Sequence, residues 1–294
     1  EVRASWGETD VLIAGLDPMT GVSVAFDEAV AERFWQALST NASLSDGLEG
    51  RQYGVVSQVS LTAESGLAEP SVSLFARNAT VDAEGVWAPL DASTALRFSD
   101  LQRLNEEDDT LHVVLNAAAA EALEVRTGEV LDIGAFVWDD GERIRTSSRA
   151  LIHAVIPNEG QGAMAGTRSP AVFTDLDSAQ SLLGMAGQIH RLSLAYGTGV
   201  GDDELRNAVK DIERVMNASL TAEDVGVVWT HDEPTSSLTV SSTTGLQRLS
   251  GEDVSALREN KSSLYPDAAL LEVLQVPLID VQHANESLLT LADA

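Results

Sequence analysis

Three observations predict an α+β fold. A strand-helix-strand unit stands near each end of the chain, a strand-rich stretch lies between them, and 44% of the residues are hydrophobic, an ordinary share for a packed globular protein. In the first unit, Asp10 to Leu16 (DVLIAGL) is a short apolar run that reads as a buried strand. The helix after it, FDEAVAERFWQAL, sets Val30, Phe34 and Leu38 on one face, with Asp27 and Glu28 in its first turn, where the helix dipole favours negative charge. Residues 53–63 (YGVVSQVSLTA) alternate with Val55, Val59 and Leu61 on one side and close the unit as a strand.

The second unit repeats that order. Gln188 to Tyr196 alternates through Leu192, Leu194 and Tyr196. A helix follows with Leu205, Val209, Ile212 and Met216 on one stripe, and Asp224 to Thr230 (DVGVVWT) reads as the closing strand. Joined, the two units predict a four-stranded sheet with both helices on one face, in which Asp10–Leu16 and Asp224–Thr230 share the sheet.

Between the units, Val72, Leu74 and Ala76 alternate, and LHVVLN runs into an Ala-rich helix. Two further strands flank Asp139-Asp140-Gly141, a hairpin turn signal. The Gly-rich stretch Asn158 to Gly166 predicts a mobile loop, and AVFTDLDSAQSLLG predicts a strand and a short helix capped by Asp175 or Asp177. Residues 253–294 read as largely helical, interrupted by Pro266 and Pro277. The organisation expected is a split base, residues 1–69 and 184–294, and an inserted β-rich lobe, residues 70–183, each with its own core.

Composition narrows the function. The 294 residues carry a formal net charge of −28, which disfavours nucleic acid and anionic lipid surfaces as partners. Lys210 and Lys261 are the only lysines, and Arg supplies the remaining cations. A surface so rich in carboxylates suits a saline medium, because the Debye length falls to about 3 Å near molar salt; a halophilic or marine source is expected. Cys is absent, so there is no disulfide, thiolate ligand or Cys nucleophile. No run approaches the roughly 18 apolar residues of a membrane span. A chain beginning at Glu1 reads as the soluble part of a longer protein, although a cleaved leader or a removed tag would leave the same start. Asn41, Asn78, Asn217, Asn260 and Asn285 stand in the Asn-X-Ser/Thr acceptor pattern, where chance would supply about one or two. They are candidate N-glycosylation sites; the same tripeptides also serve as turn and cap chemistry.

Catalytic and metal-binding patterns are not recognisable. His112, His153, His190, His231 and His283 form no ligand pair at helical or strand spacing. His231-Asp232-Glu233 offers three donors, but neighbouring side chains on an extended chain point apart. The doublets Asp108-Asp109, Asp139-Asp140 and Asp202-Asp203 suit the surface of an acidic protein and fit no calcium loop. No Gly-X-Ser-X-Gly elbow occurs. Gly197-Thr-Gly199-Val-Gly201 sits where a dinucleotide loop would. Its spacing differs from that fingerprint, and Asp202, Asp203 and Glu204 would repel a pyrophosphate while serving well as helix caps. No enzyme, cofactor or metal is expected.

Four phrases carry a resemblance. Residues 115–133 (LNAAAAEALEVRTGEVLDI) hold a short Ala-rich helix, Leu123-Glu124-Val125, then Gly128-Glu129-Val130 before a strand. Residues 149–162 (RALIHAVIPNEGQG) continue as a strand, with Ile156-Pro157 where the pattern has Gly-Ile. Residues 169–184 (SPAVFTDLDSAQSLLG) and the opening residues 7–15 (GETDVLIAG) complete the order. Together these resemble the extracytoplasmic, MacB-like periplasmic core domains of ABC-transporter permeases of the MacB/FtsX/LolC-E type, over residues 7–230. The resemblance implies a porter-like base with an inserted lobe and a place on the outer face of a cell membrane. It also implies a cytoplasmic ATPase subunit or domain reached through the membrane region, a dimeric permease, and an extracytoplasmic protein or lipid partner. In that role the domain relays ATP-driven motion to substrate or partner handling. The alternative is a secreted or membrane-anchored acidic binding or adhesion module with no transport role. An adjacent ATPase gene separates the first from the second.

Overall fold

The computed structural model describes residues 9–16, 23–42, 44–78, 87–107, 110–139, 142–197, 200–219, 228–232, 237–242, 245–249 and 279–283. Its backbone is a mixture of helices and one large sheet. The first unit forms as β1 (Val11–Leu16), helix α1 (Glu28–Thr40) and β4 (Leu48–Ala63), with the two-residue strands β2 (Ser23–Val24) and β3 (Phe26–Asp27) between β1 and α1. The Asp27 carboxylate accepts from the N–H of Ala29 and starts α1, which buries Val30, Ala31, Phe34 and Leu38. The later unit begins with β11 (Arg191–Tyr196) and α5 (Asp202–Ser219).

The units interlock. β11 lies between β1 and β4 and is antiparallel to both, so Tyr53, Leu192 and Ile13 stand in one cross-strand row. These three side chains, the buried face of α1, and Leu205, Ala208 and Ile212 of α5 belong to one apolar cluster. The fourth strand differs from expectation. It is β15 (Ile279–His283), antiparallel to β1, and not the stretch Asp224–Thr230. The described part of that stretch, β12 (Val228–Asp232), pairs with β13 (Ser237–Ser242), which pairs with β14 (Gly245–Leu249) in a separate three-stranded sheet. The order β15-β1-β11-β4 thus takes its last strand from a stretch expected to be helical. Ile279 and Val281, β-branched and two apart just beyond Pro277, favour the strand. The remainder of residues 253–294 lies outside the described residues.

The two lobes are not separate. β4 pairs with β11 along Leu48–Gly54, with β5 (Ala68–Arg77) along Gly54–Thr62, and with β7 (Val130–Asp139) along Ser60–Ala63. From β5 the sheet continues through β9 (Ala171–Asp175), β6 (Leu111–Asn116) and β8 (Glu142–Ile156) to β7, whose pairing with β4 closes a ring. Pro70, with no N–H to give, sits at an irregularity in the β4–β5 ladder where the register slips between Val59 and Leu61. One apolar cluster joins Ile13, Phe34 and Leu38 of the base to Leu61, Leu115, Leu123 and Ile133 of the ring. The expectation of independent cores and discontinuous strands is corrected: a 16-residue strand is common to both parts.

The hairpin expected at Asp139-Asp140-Gly141 is present as β7–β8, with Asp139 opposite Glu142; Asp140 and Gly141 lie outside the described residues. Helices α3 (Ala117–Leu123) and α4 (Leu176–Leu183) follow β6 and β9 directly. The other face of β5, β9 and β6 is covered by α2 (Phe98–Glu107), which packs Phe98 and Leu101 with Phe75, Val114 and Phe173. The rings of Phe75 and Phe173 stack at 5.6 Å.

Candidate functional site

The residues that resemble a family motif come together around Asn116. This side chain is 0% exposed and ends β6. Its Oδ1 accepts from the N–H of Ala119 at 3.0 Å, capping α3, and from the N–H of Ala171 at 2.9 Å, at the start of β9. Its Nδ2 donates to the carbonyls of Gly162 at 3.0 Å and Ser169 at 2.8 Å. All four hydrogen-bonding positions of the amide are used. The phrases 115–133, 149–162 and 169–184 are therefore joined by one side chain, and β6 pairs with both β8 and β9.

This arrangement corrects the expectation of a mobile Gly-rich loop. Gly160–Ala163 is a 3-10 turn with Gln161 and Gly162 buried. A Cβ on Gly162 would collide with the carbonyl oxygen of Pro157, so glycine is needed there for close approach. The side chain of Asn158 accepts from the N–H of Ala118 and ties the loop to the start of α3 a second time. The turn after α3 takes Glu124 at φ 53° and Gly128 at φ 87°, and the Glu129 carboxylate accepts from the N–H of Arg126.

A second polar constellation lies at the opposite ends of β6 and β9. An open groove of about 390 Å³ is lined by Asn105, Thr110, Leu111, Thr146, Ser148, Asp177, Ser178 and neighbours. At its edge Asp175 is the cap of α4, its Oδ1 accepting from the N–H of Ser178 at 2.9 Å and its Oδ2 from Asn105 Nδ2. Asn105 in turn accepts from the N–H of His112 at 2.6 Å, so it bridges α2, β6 and β9. The Asp177 carboxyl is raised above its ordinary value by burial, then by Asp175 and Glu106. The His112 and His153 rings, on adjacent parallel strands, meet edge to face with centroids 6.0 Å apart. His153 is held below its ordinary value by burial and by His112. Their 41-residue separation gave no sign of this pairing. Among the described residues no group of three His, Asp or Glu side chains is placed to hold a metal ion. The carboxylates of Asp175 and the amide of Asn105 are engaged in joining secondary-structure elements, which leaves them as braces of the fold.

The other residues singled out in the sequence are dispersed. His190, between β10 (Gln188–Ile189) and β11, has its pKa pushed down to about 4 by burial and then by the charge of Arg191. His231 lies on β12 and His283 on β15. Asp108, Asp109 and Gly199 lie outside the described residues. At the start of α5 the Glu204 carboxylate accepts from the N–H of Gly201 at 3.1 Å, the reach-back of a capping box, so a side-chain carboxylate occupies one of the donors a phosphate would need. Of the candidate acceptors, Asn41 is the C-cap of α1, and Asn78 is half-buried with its Oδ1 accepting from the N–H of Tyr53. Asn217 is inside α5; Asn260 and Asn285 lie outside the described residues. No helix among the described residues is long and apolar enough to cross a membrane.

No family model matches the chain. No curated protein matches it either. Among solved structures, it is similar to the periplasmic region of MacB from Actinobacillus actinomycetemcomitans, with 9% identity, a TM-score of 0.46, and coverage of 100% of this chain and 97% of that one. It is also similar to the extracellular domain of the noncanonic ABC-type transporter YknZ from Gram-positive bacteria, with 12% identity, a TM-score of 0.38, and coverage of 71% of this chain and 92% of that one.

Proposed function

We propose that this chain is the non-enzymatic extracytoplasmic domain of an ABC-transporter permease of the MacB/FtsX/LolC-E type. The observation that carries the reading is the convergence at Asn116 of the three phrases that resemble that family, which makes them one structural unit. A second feature agrees with it. Val11 is paired with His283 across antiparallel strands, so the chain enters β1 and leaves β15 at the same end of these two strands. Such an arrangement suits a domain whose two ends enter one membrane. In this reading the part comprising residues 1–69 and 184–294 lies nearest the membrane, and residues 70–183 extend away from it on the shared strand β4. ATP hydrolysis belongs to a cytoplasmic ATPase, the permease is dimeric, and the domain relays motion to a substrate or to an extracytoplasmic protein or lipid partner. The acidic surface is adapted to salt, and the acceptor asparagines are candidates for glycosylation.

The test is the parent gene and its product. It should encode a membrane helix before Glu1 and a group of helices after Ala294, and its product should co-purify with an ATPase encoded nearby. A parent with a cell-wall anchor or tandem copies of this domain, and no ATPase, would sink the reading in favour of an adhesion module.

A further inference from the structure

The face of the sheet opposite α1 carries an unusual pair of cations. Gly54 pairs with Arg77 on one side and Arg191 on the other, so both guanidinium-bearing strands flank the same point of β4. Arg77 is only 7% exposed. Its Nη1 donates to Gln52 Oε1 at 3.0 Å, its Nη2 approaches Met164 Sδ at 3.6 Å, and its guanidinium lies 5.7 Å from the Phe98 ring centroid. No carboxylate among the described residues is paired with it. A buried guanidinium without a counter-charge is costly, and here a second guanidinium adds to the cost. Both arginines are pushed down to about 10, chiefly by burial, and Arg77 further by the charge of Arg191.

Beside these groups is a cavity of about 20 Å³, bounded by Arg77, Arg191, Gln52, Ser193, Phe75 and Met164 among others. A single water needs roughly 10–15 Å³ measured this way, so the space admits one particle of that order and excludes a tetrahedral oxyanion or a lipid headgroup. Arg77 and Gln52 bring N–H donors to its wall. Arg77 has five N–H groups, of which two are directed at Gln52 and Met164, and Gln52 has its oxygen occupied but its amide N–H groups available in kind. Open N–H groups on Arg77 and Gln52, a buried Arg77 guanidinium with no carboxylate paired to it among the described residues, and a volume of one small particle describe a monatomic anion site. We propose that the cavity between Arg77, Arg191, Gln52 and Ser193 binds one halide ion, chloride in a saline medium. The bound anion supplies the counter-charge that Arg77 lacks and fastens β5, β4 and β11 where the shared strand passes from one part of the sheet to the other. The net charge of −28 opposes its approach in dilute solution, and salt both screens that field and supplies the ion.

Bromide, which replaces chloride and scatters anomalously, tests this directly. Crystals of the 294-residue chain grown in sodium bromide should show an anomalous peak in the cavity. A cavity holding only water, in a map that resolves the Arg77 side chain, overturns the proposal. In solution, the chain should melt several degrees higher in sodium chloride than in sodium gluconate at equal ionic strength. The difference should vanish in Arg77→Met, which keeps the length of the side chain and removes its charge. A chloride-minus-gluconate difference that persists unchanged in Arg77→Met also overturns it, and if that variant fails to fold, the bromide map decides alone.

Discussion

Replacing Asn116 with Ala should be among the most damaging single changes in the chain. The substitution removes two acceptor and two donor functions at once while leaving the backbone groups they served in place. Loss of the cap on α3 costs about 1 kcal/mol. The N–H of Ala171 and the carbonyl of Gly162 are buried with it, and each stranded group costs about 1–3 kcal/mol. The Ser169 carbonyl is only part-buried and can turn to water. The expected loss is about 3–7 kcal/mol, a large fraction of the roughly 5–15 kcal/mol that holds a domain together. Melting should fall by on the order of 10 °C. Urea unfolding followed by tryptophan fluorescence measures the loss, and tryptic cleavage after the exposed Arg168 reports release of the loop. Asn116→Asp should be no milder at neutral pH, because its carboxylate faces the Gly162 and Ser169 carbonyls. A loss below 1 kcal/mol with an unchanged urea slope and no new cleavage would refute the claim that this amide holds the three phrases together.

Four further outcomes follow from the structure. His190 has a folded pKa of about 4 against 6.5 unfolded, so the unfolded chain takes up more protons between those values and stability falls as pH drops through that window; His190→Gln should remove a loss on the order of 2 kcal/mol, read from urea midpoints at pH 7 and pH 4.5. Tyr53 and Tyr196 are pushed up to about 12 by burial, then respectively by the balance of Arg51 against Glu32 and by Asp10, so their stabilising share is intact below pH 10 and is lost as pH rises towards 12; ultraviolet titration should show two of the three tyrosines ionising late. Excising residues 70–183 and closing the gap with a flexible linker should leave an unfolded remainder by circular dichroism, because β4 loses its β5 and β7 partners and the common core is cut. Thermal melts across a sodium chloride series should rise with salt; a flat series would show that the carboxylates are already dispersed and would remove the inference of salt adaptation.

Local pattern was legible in the sequence and long-range pairing was not. The stripe Val30, Phe34, Leu38 and the cap at Asp27 gave α1 its place, and Asp175 capped α4 as one of two named candidates. Alternation at Val55, Val59 and Leu61 marked a strand but carried no sign that it continues to pair with three neighbours in turn. Asp224–Thr230 was expected beside β1 because it completes a second strand-helix-strand unit, whereas Ile279–His283, which takes that place, was read as part of a largely helical stretch. Helix α2 was missed because its ten residues bury only Phe98 and Leu101, too sparse a stripe to stand out. The Gly-rich segment read as mobile because glycine signals both freedom and close approach; only the position of Pro157 beneath Gly162 decides between them. The pairing of Arg77 with Arg191 across Gly54 depends on register, which no single strand reveals.

The central claim is that this domain moves with the cycle of an ATPase on the other side of a membrane. The chain has no Cys, so one spin label on Leu67→Cys, an exposed site beside the β4–β5 turn, marks this domain once per protomer after any Cys elsewhere in the permease and its ATPase has been replaced. Pulsed electron spin resonance on the full-length permease with its ATPase in nanodiscs should give one label-to-label distance without nucleotide and a different one with trapped ATP. A distance that is unchanged by nucleotide, in a preparation that hydrolyses ATP, would contradict the account.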